Sequence, residues 1–175
     1  MKKKVLTALI ALAALAAVLA ACGDGEESFS GTDEHGREYG AVCALEADSP
    51  DGWFRVPAAS HSESAMGKMM VDATRLDYLT VIKTGEEYSL IYHATSTDMN
   101  NVRLVFDGEE MAAQTEKSDS LENYRFDKLT YEQLSGEIAV RVYVATMMKR
   151  DTNFTLTLDL AQAVLVPEGT PAKEV

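Results

Sequence analysis

Between Glu137 and Leu160 apolar and polar residues alternate with a period of two. Ile138, Val140, Val142 and Val144 fall on one side of a strand, and Ala139, Arg141, Tyr143, Ala145 and Met147 on the other. A second run sets Phe154, Leu156, Leu158 and Leu160 against Thr155, Thr157 and Asp159. Alternation of this length predicts two half-buried strands. The charged stretch from Lys149 to Asn153 predicts the tip of a hairpin between them.

The same reading extends upstream. Trp53 to Pro57 predicts a short strand after a Ser-Pro-Asp-Gly turn. Asp77 to Lys83 and Glu87 to Thr95 predict a hairpin closed by Thr84-Gly85-Glu86. Asn101 to Phe106 and Leu121 to Leu129 add strands, and Thr130 to Leu134 leads into the last hairpin. Glu109 to Ser120 is polar and is expected as a loop or a short helix. Seven or eight short strands without a long helical period predict an all-β fold, an immunoglobulin-like antiparallel sandwich.

The first residues have a different pattern. Lys2, Lys3 and Lys4 precede an apolar run from Val5 to Leu19, which is too short to span a bilayer comfortably. Leu19-Ala20-Ala21-Cys22 follows and resembles the lipobox of bacterial lipoproteins. The resemblance implies a signal peptide over 1–21, cleavage before Cys22, and lipidation of Cys22. Two acyl chains suffice for stable anchoring. The expected location is the extracytoplasmic face of the cell membrane. Residues 22–47 are expected as a flexible tether, on the small, polar, glycine-rich run from Gly23 to Gly40, while Tyr39 to Leu45 carries apolar residues that fit a first, loosely attached strand. The sandwich is expected over 48–166 and a frayed tail over 167–175.

Composition narrows the function. The chain has 175 residues and a formal charge of −12, which becomes −15 when the three leader lysines are removed. That field repels nucleic acid and anionic surfaces. With Cys22 lipidated, Cys43 has no partner and reads as a small buried hydrophobe. His35, His61 and His93 lack the spacing of metal pairs. Glu46, Asp48 and Asp51 read as a solvated acidic turn or a calcium cluster. No phosphate loop, nucleophile elbow or Cys–His pair occurs, so the chain reads as a binding module and not an enzyme. Met66, Met69 and Met70 cluster in a serine-rich stretch and Met147 and Met148 at the hairpin tip. Methionines placed so serve either as core filler or as an adaptable apolar pocket.

Three pieces then resemble one family. Asp51-Gly52-Trp53-Phe54-Arg55-Val56-Pro57, Ser64-Ala65-Met66-Gly67 and the terminal hairpin are similar to the NEAT (near-iron-transporter) domain of Gram-positive surface proteins. The resemblance runs from Asp51 to Val166. It implies an immunoglobulin-like sandwich that captures haem between a Ser-Met lip and the last hairpin, then passes it to a transporter. The family places a Tyr-x-x-x-Tyr motif at the start of the second hairpin strand. Arg150 and Phe154 stand there in this chain, and Ala65 replaces the lip serine.

Two readings follow from these departures. Haem is ligated by other residues, with Tyr143 and Met147 on one strand face, Met66 across the cleft, and Arg141 or Lys149 pairing with propionates. Alternatively the domain is a non-haem member that binds another apolar ligand or a surface protein.

Overall fold

The computed structural model describes residues 28–65, 67–69, 77–95, 99–117, 121–145 and 149–172. The leader, Cys22, Met66, Met147 and Met148 lie outside them. The strands are β1 Gly52–His61, β2 Tyr78–Thr84, β3 Glu87–Ala94, β4 Met99–Phe106 and β5 Glu109–Ala112, then β6 Gln114–Lys117, β7 Glu122–Leu129, β8 Ile138–Val144, β9 Arg150–Leu158 and β10 Val164–Val166. Their order is β5-β4-β8-β9-β1-β2-β3-β7-β6, with β10 against β1. All these pairings are antiparallel. The expected all-β sandwich is therefore the fold, with ten strands among the described residues where seven or eight were expected.

Two of the added strands, β5 and β6, come from the polar stretch expected as a loop or helix. Both lie at sheet edges and bury almost nothing. An edge strand is held by its backbone ladder on one side, so it needs no apolar face, and its charged side chains deter further pairing.

Strand β1 belongs to both sheets. Gly52 to Pro57 pair with β2, and Ala58 to His61 pair with β9. The change of partner falls at Pro57, whose nitrogen has no hydrogen for a ladder. The Pro57 carbonyl accepts from the Asp159 N–H at 2.8 Å, and the Ala58 N–H donates to Asp77 at 3.1 Å. The corner between the sheets is thus closed by backbone.

The inward positions are those the alternation selects. Ile138, Val140, Val142 and Val144 are buried on β8, and Thr152, Phe154, Leu156 and Leu158 on β9. The hairpin tip is shorter than expected, because β9 already begins at Arg150. Met99 and Met111 serve the core, the first fully buried and the second packed against its margin. Tyr124 of β7 reaches across the sandwich and donates to the Met99 carbonyl of β4 at 2.8 Å. The same hydroxyl proton is shared with the carboxylate of buried Glu122, which Lys117 holds at 2.7 Å. Burial pushes the Glu122 carboxyl up, but the Lys117 and Tyr124 bonds outweigh it and the net shift is downward. Ahead of β8, Tyr131–Ser135 forms a short helix. The Thr130 hydroxyl accepts from the Gln133 N–H, and Gln133 accepts from the Thr130 N–H.

Residues 28–47 belong to the stretch expected as a tether, yet they are laid along the sandwich. Gly40, Cys43 and Leu45 donate to Leu165, Ala163 and Leu160 at 2.7–2.9 Å. Leu45 is buried in the core, and Tyr39 and Cys43 pack on it. Arg37 fastens this segment. Its guanidinium bonds Asp33 at 2.6 Å, the Pro50 carbonyl at 3.3 Å and the Asp51 carbonyl at 2.5 Å. The tail is also tied at one point, where Arg55 donates to the Pro171 carbonyl at 3.0 Å.

A buried polar chain lies on the outer face of the β2–β3–β7 sheet. His93 Nδ1 sits 2.7 Å from Asn123 Oδ1, and Nε2 sits 2.9 Å from Thr80 Oγ1. The amide oxygen only accepts, so Nδ1 carries the proton and Nε2 accepts from Thr80. Burial lowers the His93 pKa; the Asn123 bond raises it in part, and the Arg55 charge lowers it again. The unfolded imidazole therefore takes a proton at a higher pH than the folded one. This contribution to stability is full above about pH 6.5 and is lost as pH falls below that value toward the folded pKa. Denaturant midpoints measured from pH 8 to pH 5 are expected to show this loss, and His93→Gln to flatten it. An unchanged slope in His93→Gln would assign the loss to other groups.

Candidate functional site

After β1 the chain turns into a small lip over the edge of β9. Ser64 starts it: its hydroxyl accepts from the Gly67 N–H at 2.9 Å, and its carbonyl from the Lys68 N–H at 2.9 Å. Residues 65 and 67–69 are helical. Ser64 is thus the cap of the lip, which explains a serine one residue ahead of the position the family pattern gives it. Ser62 ties the lip down by donating to the Asn153 carbonyl at 2.9 Å. Gly67 is buried against both. A Cβ there would lie 1.9 Å from Ser62 Oγ and 2.7 Å from the Asn153 carbonyl oxygen, so only a glycine permits this approach.

Lip and hairpin enclose an open cleft of about 360 Å³, lined by Ser62, Ser64, Arg150, Asp151, Thr152 and Asn153. Beside it, the outer face of β8 and β9 sets Tyr143 opposite Asp151 and Arg141 opposite Asn153. Tyr143 is half-buried on this face. Arg141 is engaged: it donates to Glu110 and, at 3.1 Å, to Asn153 Oδ1. Arg103 completes the lattice, reaching Glu110 at 3.1 Å and Asp151 at 2.6 Å. Such partly exposed pairs contribute about 0–1 kcal/mol each, so they order the face more than they stabilise the fold. Among the described residues of the lip, Met69 is an exposed apolar side chain, at 48%.

Of the four residues expected to hold a ligand, the structure places Tyr143 and Arg141 on one outward face next to the cleft. Met66 and Met147 lie outside the described residues. The comparison with Tyr-x-x-x-Tyr changes more. Phe154 is buried and meets Tyr92 at 6.1 Å between ring centroids. It is a core residue, and the outward positions of β9 are Asp151, Asn153, Thr155 and Thr157, which alternate with it. Arg150 shares the parity of Phe154 but lies at the strand's start, where it is exposed and lines the cleft.

His61 was passed over at the sequence level because it has no metal-type partner nearby in the chain. It is exposed at the end of β1 and pairs with Thr155, which puts it on the same outer face as Tyr143. The signal was its place at the end of the first strand, directly before the lip.

The donor chemistry can be tested against haem. A ferric haem takes a Tyr phenolate or a His nitrogen as axial ligand. Tyr143 and His61 supply one of each on this face, and Arg150 is a cation at the cleft for a carboxylate. The residues fit such a group in these respects. The described lining of the cleft itself is polar. Among the described residues no group of three or more His, Cys, Asp or Glu is arranged to hold a bare metal ion.

Comparison with known proteins agrees on the fold. No family model matches the chain, and no curated protein does. Among solved structures, the NEAT5 domain of IsdX2, a B. anthracis hemophore in complex with heme, superposes with a TM-score of 0.51 at 11% identity, covering 63% of this chain and 97% of the domain. A point mutant of IsdX2-NEAT5, also in complex with heme, gives the same values. The fold of this protein is thus the NEAT-like sandwich, spanning nearly the whole of that domain.

Proposed function

We propose that this protein is a binding lipoprotein of the cell surface, anchored through Cys22, which captures haem at the edge between lip and hairpin. The observation that carries the reading is the retained arrangement. A NEAT-like sandwich keeps a lip clamped on the last hairpin, with the Tyr143 phenol on the outward face beside the cleft. In this reading Tyr143 is the iron ligand, with Met147 and Met66 as the thioethers next in line. Arg150 meets a propionate. Arg141 orders the face through Glu110 and Asn153 and takes no ligand itself. When bound, haem supplies the iron and the flat apolar ring; the chain supplies orientation and a charged rim. The captured haem passes to a transporter or surface partner.

A second reading has its own observation. The described cleft lining is polar, and the adjoining face carries the Arg103–Glu110–Arg141 lattice. That chemistry suits a non-haem partner, such as a surface protein.

Hemin added to the folded domain separates the two. Haem capture gives a saturable shift of the Soret band at one equivalent, which Tyr143→Phe weakens by at least tenfold and His61→Ala leaves intact. Loss only in His61→Ala would move the ligand to the imidazole. An unshifted spectrum with well-folded protein removes the haem reading. Anchoring is tested separately, by metabolic labelling with a fatty acid in the native host: label that disappears in Cys22→Ser supports it, and label that persists does not.

A further inference from the structure

Beside Tyr143, strand β4 carries one residue more than its neighbour β8. Asn100 lies opposite Tyr143 and Arg103 opposite Arg141, so Asn101 and Val102 together face only Val142. Asn101 takes the left-handed conformation, with a φ of 49°, that asparagine tolerates better than most residues. In a regular strand with Asn100 outward, Arg103 would point into the core. The extra residue keeps Val102 and Leu104 buried and turns Arg103 out beside Arg141. Bulges re-aim side chains in this way next to active sites.

Arg103 then uses all three of its guanidinium nitrogens. Nε donates to the Asn101 carbonyl of the bulge at 3.0 Å, one terminal nitrogen to Glu110 of β5 at 3.1 Å, and the other to Asp151 of β9 at 2.6 Å. Its side chain is only 12% exposed. The bond to Asp151 joins strands two apart, about 10 Å from each other. Asp151 is the cross-strand neighbour of Tyr143, so the pair passes over β8 between Arg141 and Tyr143. Asp151 is also the one carboxylate among the described residues that line the lip cleft. Arg103 draws it toward β4, whereas the lip meets β9 from the side of β1. Without Arg103, Glu110 keeps Arg141, but Asp151 has no other ion pair among the described residues.

We infer, resting on the haem reading, that Arg103 is a positioning residue of the capture site: it holds the Asp151 carboxylate away from the lip and offsets its charge, so that the carboxylate-bearing edge of the ring enters beside Arg150. An unpaired Asp151 repels a propionate in the same cleft, and salt screens that repulsion.

Hemin is titrated into the full chain and its variants at low and high salt, followed by the Soret band. The expected result is binding weakened at least tenfold in Arg103→Gln at low salt, and less at high salt. Asp151→Asn alone binds as the parent does, and added to Arg103→Gln it restores the parent's affinity. A residue that only braced the sheet would give a loss equal at both salts and no rescue. Either of those outcomes, or an Arg103→Gln variant that binds hemin like the parent, overturns the inference and leaves the haem reading standing. A well-folded parent without a saturable Soret shift overturns both.

Discussion

Replacing Phe154 by Ala lowers the stability of the domain by about 3–5 kcal/mol, as for other large buried aromatics. Its ring is almost fully enclosed between the sheets and packs on Tyr92, so truncation removes buried apolar area and leaves a cavity that a two-sheet core collapses into only in part. The midpoint of urea unfolding should fall with little change in slope, because the surface exposed on unfolding is nearly the same. The companion variant bears on function. By comparison with the tyrosine motif, Phe154→Tyr would install a ligand-side phenol. The structure gives a different outcome: the new hydroxyl enters the core without a partner and costs about 1–3 kcal/mol, and haem affinity does not rise above that of the parent. A gain of haem binding in Phe154→Tyr, with stability unchanged, would show that this strand is turned over and would overturn the orientation of the whole hairpin.

The second large effect is expected at Gly67. Its backbone lies against Ser62 and the Asn153 carbonyl, and a Cβ would meet Ser62 Oγ at 1.9 Å and Ser62 Cβ at 2.5 Å. Contacts this short force a displacement, because the carbonyl at 2.7 Å belongs to a paired strand and the contact at 2.5 Å is with the Ser62 Cβ, which no rotation of the side chain moves away. Gly67→Ala should cost about 1–3 kcal/mol, in the range of overpacked sites. It should also break the Ser62–Asn153 tie, freeing the lip from the hairpin. Limited proteolysis should then cut near the lip while the sandwich stays intact. Adding Ser62→Gly removes two of the three close contacts and restores part of the stability, though not the tie. If Gly67→Ala resists protease like the parent and unfolds at the same midpoint, the lip is not clamped as described, and the cleft loses one wall.

These two positions show how legible the chain is. Phe154 belongs to a run of alternating residues, and the alternation alone puts it with Leu156 and Leu158 on one face. The motif comparison then set it where a ligand-side tyrosine belongs, on the opposite face. A one-residue slip exchanges the two faces of a strand, so a short motif carries less information about orientation than the surrounding pattern does. Gly67 is the reverse case. Nothing within the lip distinguishes it from a residue that loosens a loop; its role comes from Asn153, far along the chain. The polar strands β5 and β6 escaped notice because an edge strand has no apolar face to announce it. The helix Tyr131–Ser135 was legible in principle, through the Thr130 and Gln133 caps, but is too short to show a helical period.

What the sequence determined by itself is therefore local. Period-two alternation selected most strands and nearly all of the core, and with the turn residues it required an antiparallel β fold. The tertiary structure decided what depends on distant parts meeting. It folded residues 28–47 back along the sheet through Arg37, although much of their composition reads as a spacer, because backbone bonds to Leu160, Ala163 and Leu165 become available only once the stretch from Leu160 through β10 is in place. It put His61 on the same face as Tyr143, engaged Arg141 with Glu110, and joined Arg103 to Asp151 across β8. Alternation is a property of neighbours along the chain, whereas each of these arrangements is set by strand register and by which sheet lies beneath it.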